Sequence, residues 1–225
     1  MTMPDPRLWI ARRAVDELQP GDVINLGIGI PTTIVEVVPP ELHIHFHTEN
    51  GLLGMGPLSP ANSDPDIINA GKLPVGETVG AAYFDSVESF AMIRGGHVDV
   101  AMLGALEVDE RGRVANWTAP GKPVLGVGGA MDLLEGAKRV YALMMHTARN
   151  GAHKLVAECG LALTSMRPAD TIITNLGVFR VEDETLYLDE LAPGVSVDEV
   201  AQRTSARFEV GDRLSVRSFG RSPAE

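Results

Sequence analysis

The chain has 225 residues, 44% of them apolar, with 24 glycines and 15 prolines spread along its length, which suits one large α/β domain or two small ones and no low-complexity segment. A net charge of −11 without an offsetting basic cluster argues against a nucleic-acid surface. The single cysteine, Cys159, excludes an internal disulfide, no apolar run approaches a membrane span and no signal peptide is evident, so a soluble cytoplasmic protein is expected.

Asp5-Pro6, followed by Leu8, Ile10, Ala11, Val15 and Leu18 at near-helical spacing, predicts a helix over 7–18 that Pro20-Gly21 stops. Residues 23–26 read as a short strand entering Gly27-Ile28-Gly29-Ile30-Pro31-Thr32, and 32–38 as a short helix closed by Pro39-Pro40. A strand, a glycine loop and a helix start can turn free N–H groups toward an anion. Gly27 and Gly29 lack the third glycine of the dinucleotide fingerprint, however, and a tight turn needing positive φ accounts for them equally well. Residues 42–46 alternate apolar and polar side chains, the period of a strand. His47-Thr48-Glu49 then leads to Asn50-Gly51, a strong turn dipeptide. Glu49 is thereby placed at the carboxyl end of a strand, where open α/β sheets bind ligands.

Residues 57–76 read as a long ordered loop, 79–84 as a strand, and 87–94 as a helix capped by Asp85-Ser86 and ended by Gly95-Gly96. The mostly apolar segment 98–104 fits a buried parallel strand. Residues 106–116 form a predicted hairpin around Arg111-Gly112. A second glycine-rich turn, Gly126-Val127-Gly128-Gly129, precedes a short helix over 131–137 and can again present backbone N–H groups. Further strands are expected at 139–145, 171–175, 177–181, 185–188 and 207–210, with a helical or extended piece at 154–159 and a helix over 196–204. Residues 211–225 are expected to fray. No repeat or linker interrupts the alternation, so residues 1–225 are expected to be one α/β domain with a mainly parallel sheet.

Three chemistries come into question for these residues. A metal site has its best material in His43, His45 and His47, which share one face of the predicted strand, but no cysteine pair or acidic cluster stands at ligand spacing and a half-exposed strand face is the simpler account. A serine hydrolase lacks the nucleophile elbow, and Ser86 and Ser89 have no histidine nearby in sequence. Glu49 is open to four readings: a general base, a metal ligand, a nucleophile or a plain turn residue. As a nucleophile it would attack an activated acyl group, with N–H donors of the glycine loops facing the developing oxyanion.

Seven motifs in order resemble the B (beta) subunit of family I CoA transferases, of the 3-oxoacid and butyrate–acetoacetate type. They are Asn25-Leu26-Gly27-Ile28-Gly29-Ile30-Pro31-Thr32, Thr48-Glu49-Asn50-Gly51, Ile68-Asn69-Ala70-Gly71, Ile93-Arg94-Gly95-Gly96-His97, Ala115-Asn116-Trp117, Pro120-Gly121-Lys122 and Gly126-Val127-Gly128-Gly129-Ala130-Met131-Asp132-Leu133. The match covers residues 8–210. It implies an open three-layer α/β/α fold, with Glu49 as the nucleophile that carries CoA as a glutamyl thioester. It further implies Gly129 as an oxyanion donor, with Gly128, Gly27, Gly29, Asn50 and Gly51 in the substrate loops and Lys122 near a CoA phosphate. CoA and acyl-CoA would be substrates, with no resident cofactor and no metal. An A (alpha) subunit would complete the site, commonly in an α2β2 heterotetramer. Thr48 stands where the family usually has serine, Met145-His146 where it has Glu-His, and Thr174-Asn175 where it has Thr-Glu; these departures bear on substrate identity. The alternatives are a non-catalytic acyl-CoA sensor subunit and a sugar-phosphate isomerase of related fold.

Overall fold

In the computed structural model, which describes residues 5–217 apart from 59–63, 70, 119–120 and 122–125, the chain begins with α1 (Pro6–Val15) and β1 (Val23–Leu26). A 3-10 turn (Ile30–Thr33) runs into the single-turn α2 (Ile34–Val37), and a second (Pro40–Leu42) precedes β2 (His45–Thr48). There follow β3 (Leu52–Gly56), β4 (Gly76–Tyr83), α3 (Ser86–Arg94), β5 (Val100–Gly104), β6 (Glu107–Asp109), β7 (Val114–Ala115) and α4 (Ala130–Gly136). The chain closes with β8 (Arg139–Met144), β9 (Leu155–Val156), β10 (Thr171–Thr174), β11 (Gly177–Glu182), β12 (Thr185–Leu191), α5 (Val197–Gln202) and β13 (Glu209–Val216). Among the described residues no helix is long and apolar enough to cross a membrane.

Ten strands form one sheet in the order β13-β12-β11-β10-β8-β5-β1-β2-β3-β4. Its centre, β10-β8-β5-β1-β2, is parallel throughout, and antiparallel pairs flank it on both sides. The central strands are apolar on both faces because both faces are covered. On β5, Val100 and Met102 join the core beneath α1 while Ala101 and Leu103 join the core beneath α4. On β8, Tyr141 and Leu143 face the first layer, and Val140, Ala142 and Met144 the second. α1 contributes Trp9, Ile10, Ala11 and Ala14 to one layer; α4 contributes Leu133 and Leu134, and α5 Val200, to the other. This is the expected three-layer α/β/α arrangement. The expected caps also form: Asp5 accepts from the Arg7 N–H at 2.9 Å, Asp85 from Glu88 at 2.9 Å and Ser196 from Glu199 at 3.2 Å.

Three expectations are corrected, and one stretch gains an element. The strand expected at 42–46 begins at His45, because Pro40–Leu42 closes a 3-10 turn and His43 caps it at φ 49°. Residues 52–56, to which the sequence assigns no element, are a strand, β3, paired antiparallel with β2 and β4. The helix expected over 32–38 is split, since Pro31 favours the tighter 3-10 turn at its start. The tail expected to fray from residue 211 continues β13 through Val216, paired in parallel with β12; residues 218–225 lie outside the described residues.

Candidate active site

The five parallel strands end on one edge, and Glu49 follows the last residue of β2 there. The turn that bears it is fixed on both sides. The Gly51 N–H donates to the Thr48 carbonyl at 3.0 Å, and the Gly51 carbonyl accepts from the Phe84 N–H at 3.1 Å. Gly51 sits at φ +117°, and a Cβ there would overlap the Phe84 carbonyl oxygen, so glycine is required on two counts. The exposed Asn50 donates from Nδ2 to the Ile68 carbonyl at 2.7 Å, tying the turn to the loop on its other side.

Gly129, far along the chain, meets this turn. It is buried at the N-cap of α4, and a Cβ built on it would lie 3.1 Å from Glu49 Cγ and 3.4 Å from Oε1. The start of α4 thus packs directly on the carboxylate-bearing side chain. Glu49 lines a cleft of about 310 Å³ whose walls include Thr32, Thr33, Thr48, Asn69 and Leu73.

Behind Glu49 runs a buried polar chain. Asn25 donates from Nδ2 to Glu49 Oε2 at 3.1 Å and lies 3.1 Å from His47 Nδ1. His47 Nε2 lies 3.2 Å from Ser89 Oγ on α3, and the ring stacks on Phe84 at 5.8 Å with 13° between planes. Burial pushes the His47 pKa down to about 4, so the ring is neutral at physiological pH. Ser89, with no histidine nearby in sequence, thus meets one in the fold, the two residues being 42 apart in the chain. The arrangement is nonetheless not a hydrolytic triad. Ser89 is fully buried, and Asn25 donates to Nδ1 where a triad's third member would accept from it. The three strand histidines separate: His43 lies in a turn, His45 is exposed and His47 is buried.

The remaining expected residues fall at different distances from this centre. Gly27 is a packing glycine and not an anion donor: its N–H is taken by the Met102 carbonyl at 2.8 Å, and a Cβ would lie 3.2 Å from Leu103 Cα. Gly29, at φ +101°, opens the 3-10 turn, and its carbonyl accepts from Thr32 Oγ1 at 2.7 Å. Gly128 is exposed at φ +56° beside Gly129. Lys122 lies outside the described residues. The sequence gives neither Asn25 nor His47 a role beside Glu49: His47 stands there only as possible metal-site material and Asn25 only as part of a motif. A polar Asn inside the apolar run 23–26 was the one local signal for either of them.

Known proteins share this architecture. A family model described as Coenzyme A transferase matches residues 9–203. The chain is 46% identical to the beta subunit of the acetate CoA-transferase of Escherichia coli K12, over 95% of this chain and 98% of that one. It is 47% identical to the B-type chain of the probable succinyl-CoA:3-ketoacid coenzyme A transferase of Bacillus subtilis, covering 94% and 99%. The fold matches the crystal structure of an acyl-CoA transferase apoenzyme from Escherichia coli O157:H7 with a TM-score of 0.79 at 24% identity, over 97% of this chain and 44% of that longer one. The chain belongs to the coenzyme A transferase family. Within it, the chain is a CoA-transferase subunit of the beta type.

Proposed function

We propose that this chain supplies the nucleophile of a CoA transferase that moves CoA between short carboxylic acids, 3-oxoacids among them, through a thioester on Glu49. The Glu49 carboxylate attacks the acyl-CoA carbonyl, forming a mixed anhydride and releasing CoA thiolate. The thiolate attacks the Glu49 carbonyl, leaving a glutamyl-CoA thioester and freeing the first acid as carboxylate. A second carboxylate attacks that thioester, forming a new anhydride and thiolate. The thiolate then takes the new acyl group, and Glu49 is regenerated. Each tetrahedral step develops negative charge on an oxygen beside Glu49, and the Gly129 N–H is assigned to receive it. CoA enters and leaves as a substrate, and no resident cofactor or metal is part of the scheme.

The observation that carries this reading is the packing of Gly129 on Glu49, which joins two distant glycine-bearing turns at one carboxylate. The acid class follows the names of the relatives, acetate and 3-ketoacid transferases. Those relatives are named as one of two chain types, which supports an alpha partner, and we assign the assembly as α2β2. Exposed Ile28, Leu58 and Leu73, the last two on the cleft wall, give such a partner an apolar rim to cover.

The test uses the complex with its alpha partner. Incubation with acyl-CoA followed by hydroxylamine or borohydride should modify Glu49 in a peptide map, and Glu49→Ala should abolish exchange. An unmodified Glu49 under turnover defeats the scheme, whereas acyl-CoA binding without turnover would indicate a sensor role. A panel of acetate, butyrate, acetoacetate, succinate and 3-oxoadipate then sets the acid class.

A further inference from the structure

Among the described residues, one side chain donates a hydrogen bond to the Glu49 carboxylate, the Asn25 amide, and that amide is held in turn by His47. We propose that His47 is a positioning residue for Glu49: in its Nε2–H form, with Ser89 Oγ as the acceptor of that N–H, it accepts one Asn25 N–H at Nδ1 and thereby aims the other N–H at the carboxylate. The proposal rests on the reading of Glu49 as nucleophile and assigns a task to the residues behind it.

The argument is one of donor and acceptor count. An asparagine amide has two faces, one carrying two N–H groups and the other the oxygen. Asn25 Nδ2 lies 3.1 Å from both Glu49 Oε2 and His47 Nδ1. An ionised carboxylate accepts and cannot donate, so the face turned to Glu49 must be the N–H face. His47 Nδ1 must then be a bare acceptor, its proton must sit on Nε2, and that N–H donates to Ser89 Oγ at 3.2 Å. The opposite histidine tautomer would carry a proton on Nδ1, facing the amide N–H. Relieving that clash means turning the amide over, which sets its oxygen against the carboxylate. Tautomer and amide orientation are therefore one coupled choice, which the Glu49 carboxylate sets and the Ser89 hydroxyl, able to accept, accommodates.

The surroundings hold the ring in place, at a cost borne by the amide oxygen. Asn25 is 1% exposed and its Oδ1 has no partner among the described residues. An unsatisfied buried acceptor costs about 1–3 kcal/mol. The amide thus lies in the orientation that serves Glu49 and His47 while its own oxygen goes unpaired. His47 is 2% exposed and packed flat on Phe84, so the ring cannot swing to another partner. The residue opposite it on β3 is Leu53, which carries no charge, and Asp85, Glu88 and His45 are exposed.

The experiment measures the single-turnover rate of adduct formation on Glu49 in the complex, for His47→Leu, Asn25→Ala, the double variant and His47→Gln, each with a fold matched by circular dichroism. Leu fills the space without accepting a hydrogen bond, whereas Gln can accept from Asn25 and donate to Ser89. His47→Leu should slow the step on the order of tenfold or more, as misplacement of a reacting group does. In the Asn25→Ala background it should cost nothing further, because its effect passes through Asn25, and His47→Gln should restore the rate to within about threefold of wild type. Nitrogen-15 spectra of the wild-type complex should show His47 as the Nε2–H tautomer. A His47→Leu variant as fast as wild type, costs that multiply in the double variant, no rescue by Gln, or an Nδ1–H tautomer would each overturn the proposal. Failure of the nucleophile reading is seen separately, as no adduct on wild-type Glu49, while the tautomer measurement still judges the relay.

Discussion

At the scale of single residues, Gly129 offers the cleanest probe of the site. Its φ of −79° is open to any L residue, so alanine there brings no backbone strain. The added methyl instead meets Glu49 Cγ at 3.1 Å, and the carboxylate must shift by a few tenths of an ångström. Gly129→Ala is expected to lower the rate of exchange by roughly 100-fold, the scale of small misplacements of a reacting group, while the thermal midpoint stays near that of wild type. A variant that exchanges CoA normally would remove Gly129 from the site. Titration supplies a second prediction. His47 and His146 are both buried, and burial depresses each pKa to about 4. The unfolded chain therefore takes up these protons first as pH falls below the ordinary value of about 6.5, so stability drops between about pH 6.5 and 4 and is unaffected by these two groups at higher pH. Each site is worth about 3 kcal/mol over that window by linkage. Urea midpoints at pH 7 and 4.5 should show the fall, and His146→Asn, uncharged throughout, should show a shallower one.

At the scale of elements, the β2–β3 hairpin decides where Glu49 points, and Gly51 decides the hairpin. Gly51→Ala places a methyl on the Phe84 carbonyl oxygen in a conformation at φ +117° that L residues avoid. It is expected to destabilise the chain by about 3 kcal/mol, from strain and overpacking together, read as a lowered urea midpoint. The same hairpin shows what the sequence reveals and what it hides. Asn50-Gly51 announces the turn, and the alternation before it announces a strand, so the address of Glu49 was legible. The second strand was not, because Leu52-Leu53-Gly54-Met55-Gly56 has two glycines where a strand pattern needs side chains. Gly54 in fact lies at φ +92°, beside a register shift between Leu53 and Met55. The start of β2 was misplaced because period-two spacing cannot distinguish a strand from a 3-10 turn ending in left-handed His43. The relay behind Glu49 joins β1, β2 and α3 across 22 and 42 residues, and such distances leave no local signature.

At the scale of the whole molecule, the central parallel strands bring the carboxyl end of β2 to one edge, where Glu49 meets Gly129 at the start of α4. The cleft beside them is open, with exposed Leu58 and Leu73 on its wall. The chain alone is therefore expected to lack CoA exchange and to regain it on mixing with its alpha partner, with native mass spectrometry of the mixture reporting two copies of each. Full exchange by the chain alone would sink the two-chain account. The clamped turn has a further consequence for the order of events. Gly51 on one flank and Asn50 on the other leave Glu49 a stationary post with little more than its own side-chain torsions to move. Under the proposed chemistry, acid and thiol must then take turns at one docking point, and the departing acid has to vacate it before the next can approach. Queueing of this kind yields two half-reactions that never overlap, and it would be built into the mount before any substrate arrives.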